Sequence, residues 1–245
     1  TSRPEPGSRS SCLSTREIPV SIDGPCGPLE ALHLDLPDAR GIALVCHPHP
    51  LFAGTMQNKV VATLQRSARD AGLATLRFNF RGVGQSAGSY GEGIGEIDDA
   101  EAAARWLLAR HPGLPLTLMG FSFGSCVAGN LAGRLEAQGV GLARLFMIAP
   151  PVERFAVSLP ARCPLTVVQP EDDDVVTPAA VYAWSESLAR PHELLRVAES
   201  GHFLPWQADR SEGPAAATHA GLTSSRRPCY HPARHSFLCL TSGIA

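Results

Sequence analysis

Apolar positions along this chain fall into short runs separated by helical patterns. Glu17–Asp23 and Leu29–Leu36 alternate apolar with polar residues, as two antiparallel edge strands would. Gly41–Cys46 (GIALVC) is apolar throughout, the pattern of a strand buried on both faces. Leu73–Phe80 reads as a second buried strand, and Leu114–Met119, Leu142–Ala149, Leu165–Val168 and Glu193–Val197 as further strands. Between them, Met56–Ala71 carries Val60, Val61, Leu64 and Ala68 at helical spacing and is closed by Gly72. Ile97–Arg110, Ser122–Glu136 and Pro178–Ala189 read as helices, and the glycine-dense Gly82–Gly95 as a loop. Repeated strand–helix alternation specifies an α/β protein with a largely parallel sheet and helices on both faces. After His202 this periodicity stops.

Composition narrows the class. The 245 residues suit one domain with a large core, at 44% hydrophobic and 18% charged. A formal net charge of −2 lacks the basic excess of a nucleic-acid binder and points to a small-molecule partner. No apolar run of about 18 residues is present, so no membrane span is expected. Thr1–Ser14, rich in Ser, Arg and Pro and without an apolar stretch, reads as a disordered segment rather than a signal peptide. Seven scattered cysteines, several inside apolar runs, suggest buried free thiols in a reducing, cytoplasmic setting.

The chemistry concentrates in Gly120-Phe121-Ser122-Phe123-Gly124, which follows an apolar strand and opens a helix of small residues. That context is what a nucleophile elbow requires: a sharp turn holds the serine Oγ out at the end of the sheet, and flanking glycines relieve crowding. In the order Ser…acid…His, an acid should follow a later strand, and Glu171-Asp172-Asp173-Asp174 does. His202 follows the strand 193–197 and takes the role of general base towards Ser122. An oxyanion hole needs two backbone N–H donors. One is Phe123, next to the nucleophile. The other belongs to His47-Pro48-His49-Pro50-Leu51; the prolines have no N–H, which leaves His49 or Leu51, with His49 preferred. His47 and His49 share a face without a third ligand nearby, so no metal is assigned, and no cofactor is implied. Arg77–Ser86 lacks the ending of a phosphate-binding loop and reads as a shaped loop bordering the site.

With these motifs the chain resembles the α/β-hydrolases, specifically the small cap-less bacterial group related to dienelactone hydrolases. The resemblance rests on His47–Pro50, Gly54–Val61, Arg77–Ser86, Gly120–Gly124 and Gly201-His202-Phe203, and covers roughly Arg16 to Phe203. It implies an eight-stranded, mostly parallel sheet and esterase-type hydrolysis. Matching Val175-Val176 to the family pattern Gly-Asp-x-Asp-x-Val-Val places the acid at Asp173, with Asp172 and Asp174 as fallbacks. Pro170 stands where the family has Gly. Dienelactone hydrolases use a cysteine nucleophile, so their substrate does not carry over to Ser122. Only about 14 residues separate the strands ending at Ala149 and starting at Pro164, too few for a lid. The expected activity is hydrolysis of small carboxylic esters or thioesters through an acyl-enzyme on Ser122. The competing readings are a peptidase or amidase of the same fold and a non-catalytic binding protein.

The domain organisation expected is a disordered segment 1–14, a hydrolase domain 15–203 and an irregular tail 204–245. Where the family continues into a closing helix, residues from Leu204 to Gly213 are irregular. A one-base shift near the Leu204 codon would convert that text to Leu-His-Gly-Lys-Leu-Thr-Glu-Val-Lys, the family's continuation. On that reading the closing helix is missing or replaced, and the spacing of Cys229, His231, His235 and Cys239 is fortuitous rather than a zinc site.

Overall fold

The computed structural model describes residues 16–198 and 200–202. The expectations for segment 1–14, for the tail with its Cys229–Cys239 cluster and for the closing helix lie outside these residues. One sheet of eight strands organises the chain: β1 (Ile18–Gly24), β2 (Gly27–Leu34), β3 (Gly41–Cys46), β4 (Leu73–Phe78), β5 (Leu116–Phe121), β6 (Leu142–Ile148), β7 (Leu165–Pro170) and β8 (Glu193–Val197). Their spatial order is β1-β2-β4-β3-β5-β6-β7-β8. β2 pairs antiparallel with β1 and with β4, and the pairings from β4 through β8 are parallel.

β3 shows why the central strands are apolar throughout. Its alternate residues Ile42, Leu44 and Cys46 join one core, packed under α2 (Gly95–Arg110), α3 (Phe123–Ala137) and α4 (Pro178–Ser187). Ala43 and Val45 join the other, which receives Val60, Val61, Leu64 and Ala68 of α1 (Lys59–Asp70). Two-sided burial removes the polar alternation that a half-exposed strand would show. Among the described residues no helix is long and apolar enough to cross a membrane.

The bounds of β3 and β8 coincide with the segments expected from the sequence. Others shift for local reasons. α1 begins at Lys59 rather than Met56 because the Asn58 side chain accepts the Val60 N–H at 2.8 Å, an N-cap that stops the helix extending backwards. β4 ends at Phe78 because the next backbone N–H groups leave the ladder: that of Asn79 goes to the Glu30 carbonyl and that of Phe80 to the His47 ring. The β6–β7 connection, residues 149–164, carries no helix or strand, so among the described residues no cap covers this end of the sheet.

Of the four described cysteines, Cys46, Cys126 and Cys163 are buried free thiols, as expected. Burial raises all three, Cys126 to about 12 and Cys163 to about 11, so they are inert as nucleophiles. Cys26 departs from the expectation. It sits in the turn between β1 and β2 and is exposed, because a two-strand edge hairpin has no core over its turn.

Candidate active site

Parallel register brings the C-terminal ends of β3, β5, β6 and β7 side by side, with Cys46 opposite Gly120 and Phe121 opposite Ile148. The chain leaving each end contributes to one cluster. Ser122 sits between β5 and α3 at φ 52°, ψ −125°, a left-handed conformation that costs a non-glycine residue about 1–3 kcal/mol. The surroundings over-determine it. Its N–H donates to the Ile148 carbonyl (2.8 Å), and its carbonyl accepts from the Ser125 hydroxyl (2.6 Å) and amide (2.8 Å). The glycines are demanded by backbone approach. A Cβ on Gly120 would collide with the Gly124 carbonyl, and one on Gly124 with the carbonyls of Cys46 and His47. Ser122 therefore stands at the N-terminus of α3, whose unpaired amides favour negative charge.

His202 and Asp173 meet as the chain order requires. The His202 ring lies 2.8 Å from Asp173 Oδ2 and 3.0 Å from Oδ1 through Nδ1, with both side chains buried. An ionised carboxylate only accepts, so Nδ1 carries the proton and Nε2 is the basic nitrogen. The same carboxylate accepts the N–H groups of Val175 (2.9 Å) and Val176 (2.8 Å) on Oδ1, and the Gln169 amide on Oδ2 (3.3 Å). Burial pushes the Asp173 carboxyl up, but its hydrogen bonds from His202, Val176 and Val175 outweigh that and hold it below the ordinary value. Asp172 and Asp174 are exposed, so among the three aspartates only Asp173 joins the histidine. Pro170 in place of glycine does not misplace the loop. It closes β7, and Gln169 bridges the Pro170 carbonyl and Asp173. The Phe121 ring packs 4.9 Å from that of His202, which ties the histidine to the strand carrying the elbow.

The loop after β3 is set by its two histidines, in different ways. His47 is fully buried; its Nδ1–H donates to the Pro48 carbonyl (2.6 Å) and its Nε2 accepts the Phe80 N–H (3.0 Å). Both ring nitrogens are used, so His47 is a bracket between this loop and the end of β4, not a metal ligand. Burial lowers its pKa to about 4, which keeps it neutral. His49 accepts the Leu51 N–H on Nδ1 (3.2 Å). That bond engages the Leu51 N–H, which leaves His49 as the candidate of the two.

Three features of the site escaped the sequence. His49 Nε2 lies 3.2 Å from the Tyr90 hydroxyl, and its ring packs against Phe52, Phe123 and Phe155 at centroid distances of 4.9, 4.8 and 5.9 Å. Glu96 is buried at the start of α2 and accepts the N–H groups of Gly91 (2.7 Å) and Gly93 (2.8 Å), which fixes the Tyr90–Gly95 turn. Glycines followed by an acid at a helix start were the available signal for it. Gln169 left no signal. Arg77–Ser86 is a brace: Arg77 pairs with Glu17 (2.6 Å), Arg81 clasps the buried Asp99 (2.8 Å), and the Asn79 amide donates to Glu30 (2.8 Å).

A strained serine between strand and helix, an Asp–His pair after later strands and an open edge without a lid define the class of α/β serine hydrolases. Comparison with known proteins agrees. The model of the thioesterase domain family matches residues 93–162, the stretch from the Tyr90–Gly95 turn through the elbow to the β6–β7 connection. An α/β serine hydrolase without a lid from Xanthomonas campestris is 41% identical; the match covers 78% of this chain and 87% of that one, with a TM-score of 0.70. An α/β serine hydrolase homologue from Coxiella burnetii is 36% identical over 77% and 90% of the two chains, with a TM-score of 0.71. An uncharacterised protein of Rickettsia prowazekii is 38% identical over 165 residues, 64% of this chain and 68% of the relative. The chain belongs to the α/β serine hydrolase family and is a hydrolase.

Proposed function

We propose that this hydrolase cleaves carboxylic esters or thioesters of small substrates through an acyl-enzyme on Ser122. The observation that carries the reading is the Ser122 backbone at φ 52°, held after the C-terminal end of β5, at the same end of the sheet as the His202–Asp173 pair. Ser122 Oγ attacks the carbonyl carbon while its proton passes to His202 Nε2. The oxyanion accepts the N–H group of Phe123 at the α3 N-terminus and that of His49 on the loop after β3. Collapse breaks the C–O or C–S bond, and the alcohol or thiol leaves with the proton from His202. Water, deprotonated by the same nitrogen, then attacks the acyl-enzyme and regenerates Ser122. Asp173 stays ionised and holds the imidazole in the Nδ1–H tautomer.

Two features support a small or extended acyl group. Among the described residues no cap closes the site, and apolar side chains stand exposed on the segments around it: Leu51 and Phe52 after His49, Ile94 beside Gly93, and Val175 beside Asp173. The thioesterase-domain match, which spans the elbow, supports thioesters as well as oxygen esters.

The test compares p-nitrophenyl butyrate, a butyryl thioester and a butyryl anilide under one set of conditions. The reading predicts turnover of the first two and much slower release from the anilide. Anilide cleavage at a comparable kcat/KM would make the protein an amidase, and no turnover of any would make it a binding protein.

A further inference from the structure

A second cluster of titratable groups lies at the end of the sheet away from Ser122. His33 is on β2, paired with Leu76 of β4; Asp35 follows β2; His111 follows the C-terminus of α2, where the chain turns back to enter β5. One ligand atom from each, a ring nitrogen or a carboxylate oxygen, lies within 4.8 Å of the others, and His111 Nε2 is 3.9 Å from Asp35 Oδ1.

The geometry points to a site for a divalent transition metal of the zinc class, bound by His33 Nε2, His111 Nε2 and the Asp35 carboxylate. The first argument is the His33 ring. It is 0% exposed, and its Nδ1–H donates to the Thr75 carbonyl at 3.0 Å. A backbone carbonyl on one ring nitrogen is how metal-binding histidines are oriented, because it fixes the tautomer with the other lone pair outward. That other nitrogen, Nε2, is buried without a hydrogen-bond partner among the described residues, and so is His111 Nε2. An unmet buried polar nitrogen is costly, and two converging on a carboxylate call for a shared cation.

The donor set selects the metal. Two imidazoles and one carboxylate are borderline ligands suited to Zn²⁺ or Co²⁺, whereas Ca²⁺ and Mg²⁺ require several oxygens. Tetrahedral zinc needs donor atoms roughly 3.3 Å apart, so the exposed Asp35 carboxylate and the mostly buried His111 ring close by about 1 Å on a fixed His33. Burial lowers the pKa of both histidines, which keeps their lone pairs available at neutral pH. Trp106 seals the apolar side, its ring edge-on to His33 at 5.2 Å. Arg110, stacked on Trp106 at 5.2 Å, opposes a cation, and the Asp35 carboxylate offsets it. The metal would staple the β1–β2 hairpin to the end of α2 and play no part in hydrolysis.

The test uses the full chain, stripped with chelator and titrated with Co²⁺ and then Zn²⁺. One equivalent of Co²⁺ is expected to give visible d–d absorption that Zn²⁺ abolishes. Zn²⁺ at about a hundredfold excess over its Kd should raise Tm by ~5–10 °C. His111→Gln and Asp35→Asn, at sites that tolerate change, should lose both signals while leaving ester hydrolysis unaltered. No absorption and no Tm shift in the parent chain overturns the proposal. So does binding that persists in both variants, which would place the metal elsewhere.

Discussion

Ser122 stands on the middle of the sheet, its strand flanked by β3 and β6, whereas His202 follows β8 at the sheet's edge. The serine is held by backbone: an amide bond to Ile148, carbonyl bonds from Ser125, and glycines that let Gly120 and Gly124 crowd neighbouring carbonyls. Among the described residues the histidine is held by side chains, which include the Asp173 carboxylate on a loop and the Phe121 ring. Backbone crowding tolerates almost no alternative sequence. Side-chain bonds leave several sequences that would serve. The Ser122 half is therefore rigid and recognisable, and the His202–Asp173 half is the more easily altered by substitution.

The sharpest way to break this comparison is at the acid. Asp173→Asn keeps the shape but lets the imidazole adopt the wrong tautomer, and should lower kcat/KM on p-nitrophenyl butyrate by about 10⁴-fold. Asp172→Asn and Asp174→Asn should stay within about twofold of the parent, since both side chains are exposed. A comparable loss in either neighbour would mean that the acid is misassigned.

Glycine substitutions probe the two halves for stability. Gly124→Ala forces a methyl into the carbonyls of Cys46 and His47 and should cost at least about 3 kcal/mol in urea unfolding. Gly201→Ala, beside His202, meets among the described residues only the Asp172 carbonyl at 3.7 Å and should change stability by less than about 0.5 kcal/mol. Equal costs would remove the distinction between a crowded elbow and a tolerant histidine loop.

A smaller effect comes from pH. His47 has a folded pKa of about 4, below an unfolded value near 6.5, so the unfolded chain binds the extra proton first. Its stabilising contribution is complete above the unfolded value and is lost as pH falls towards the folded one. Between pH 7 and pH 5 this group should remove about 2 kcal/mol from the unfolding free energy. His47→Gln should be less stable at pH 7 yet lose correspondingly less on acidification. An unchanged slope would show that His47 is not the buried neutral bracket between the β3 loop and Phe80.

The same contrast explains what could be read from sequence. β3 is legible to the residue because two-sided burial sets its apolar run, and Gly120–Gly124 because the elbow permits little else. The end of β4 is not, since Asn79 and Phe80 are drawn off by Glu30 and His47, 49 and 33 positions away. Among Asp172, Asp173 and Asp174 the choice depends on which carboxyl folds inward under the Val175 and Val176 amides, a matter of loop geometry. Tyr90 and Phe155 around His49 come from separate loops, and no spacing along the chain links them.

The central claim is that Ser122 is an activated nucleophile. Its most direct test is to treat the full chain with a fluorophosphonate at neutral pH and map the adduct by peptide mass spectrometry. The account predicts a single adduct on Ser122, absent in Ser122→Ala and slowed at least about a thousandfold in His202→Ala. Labelling that persists in Ser122→Ala, or parent protein left unlabelled, would contradict it.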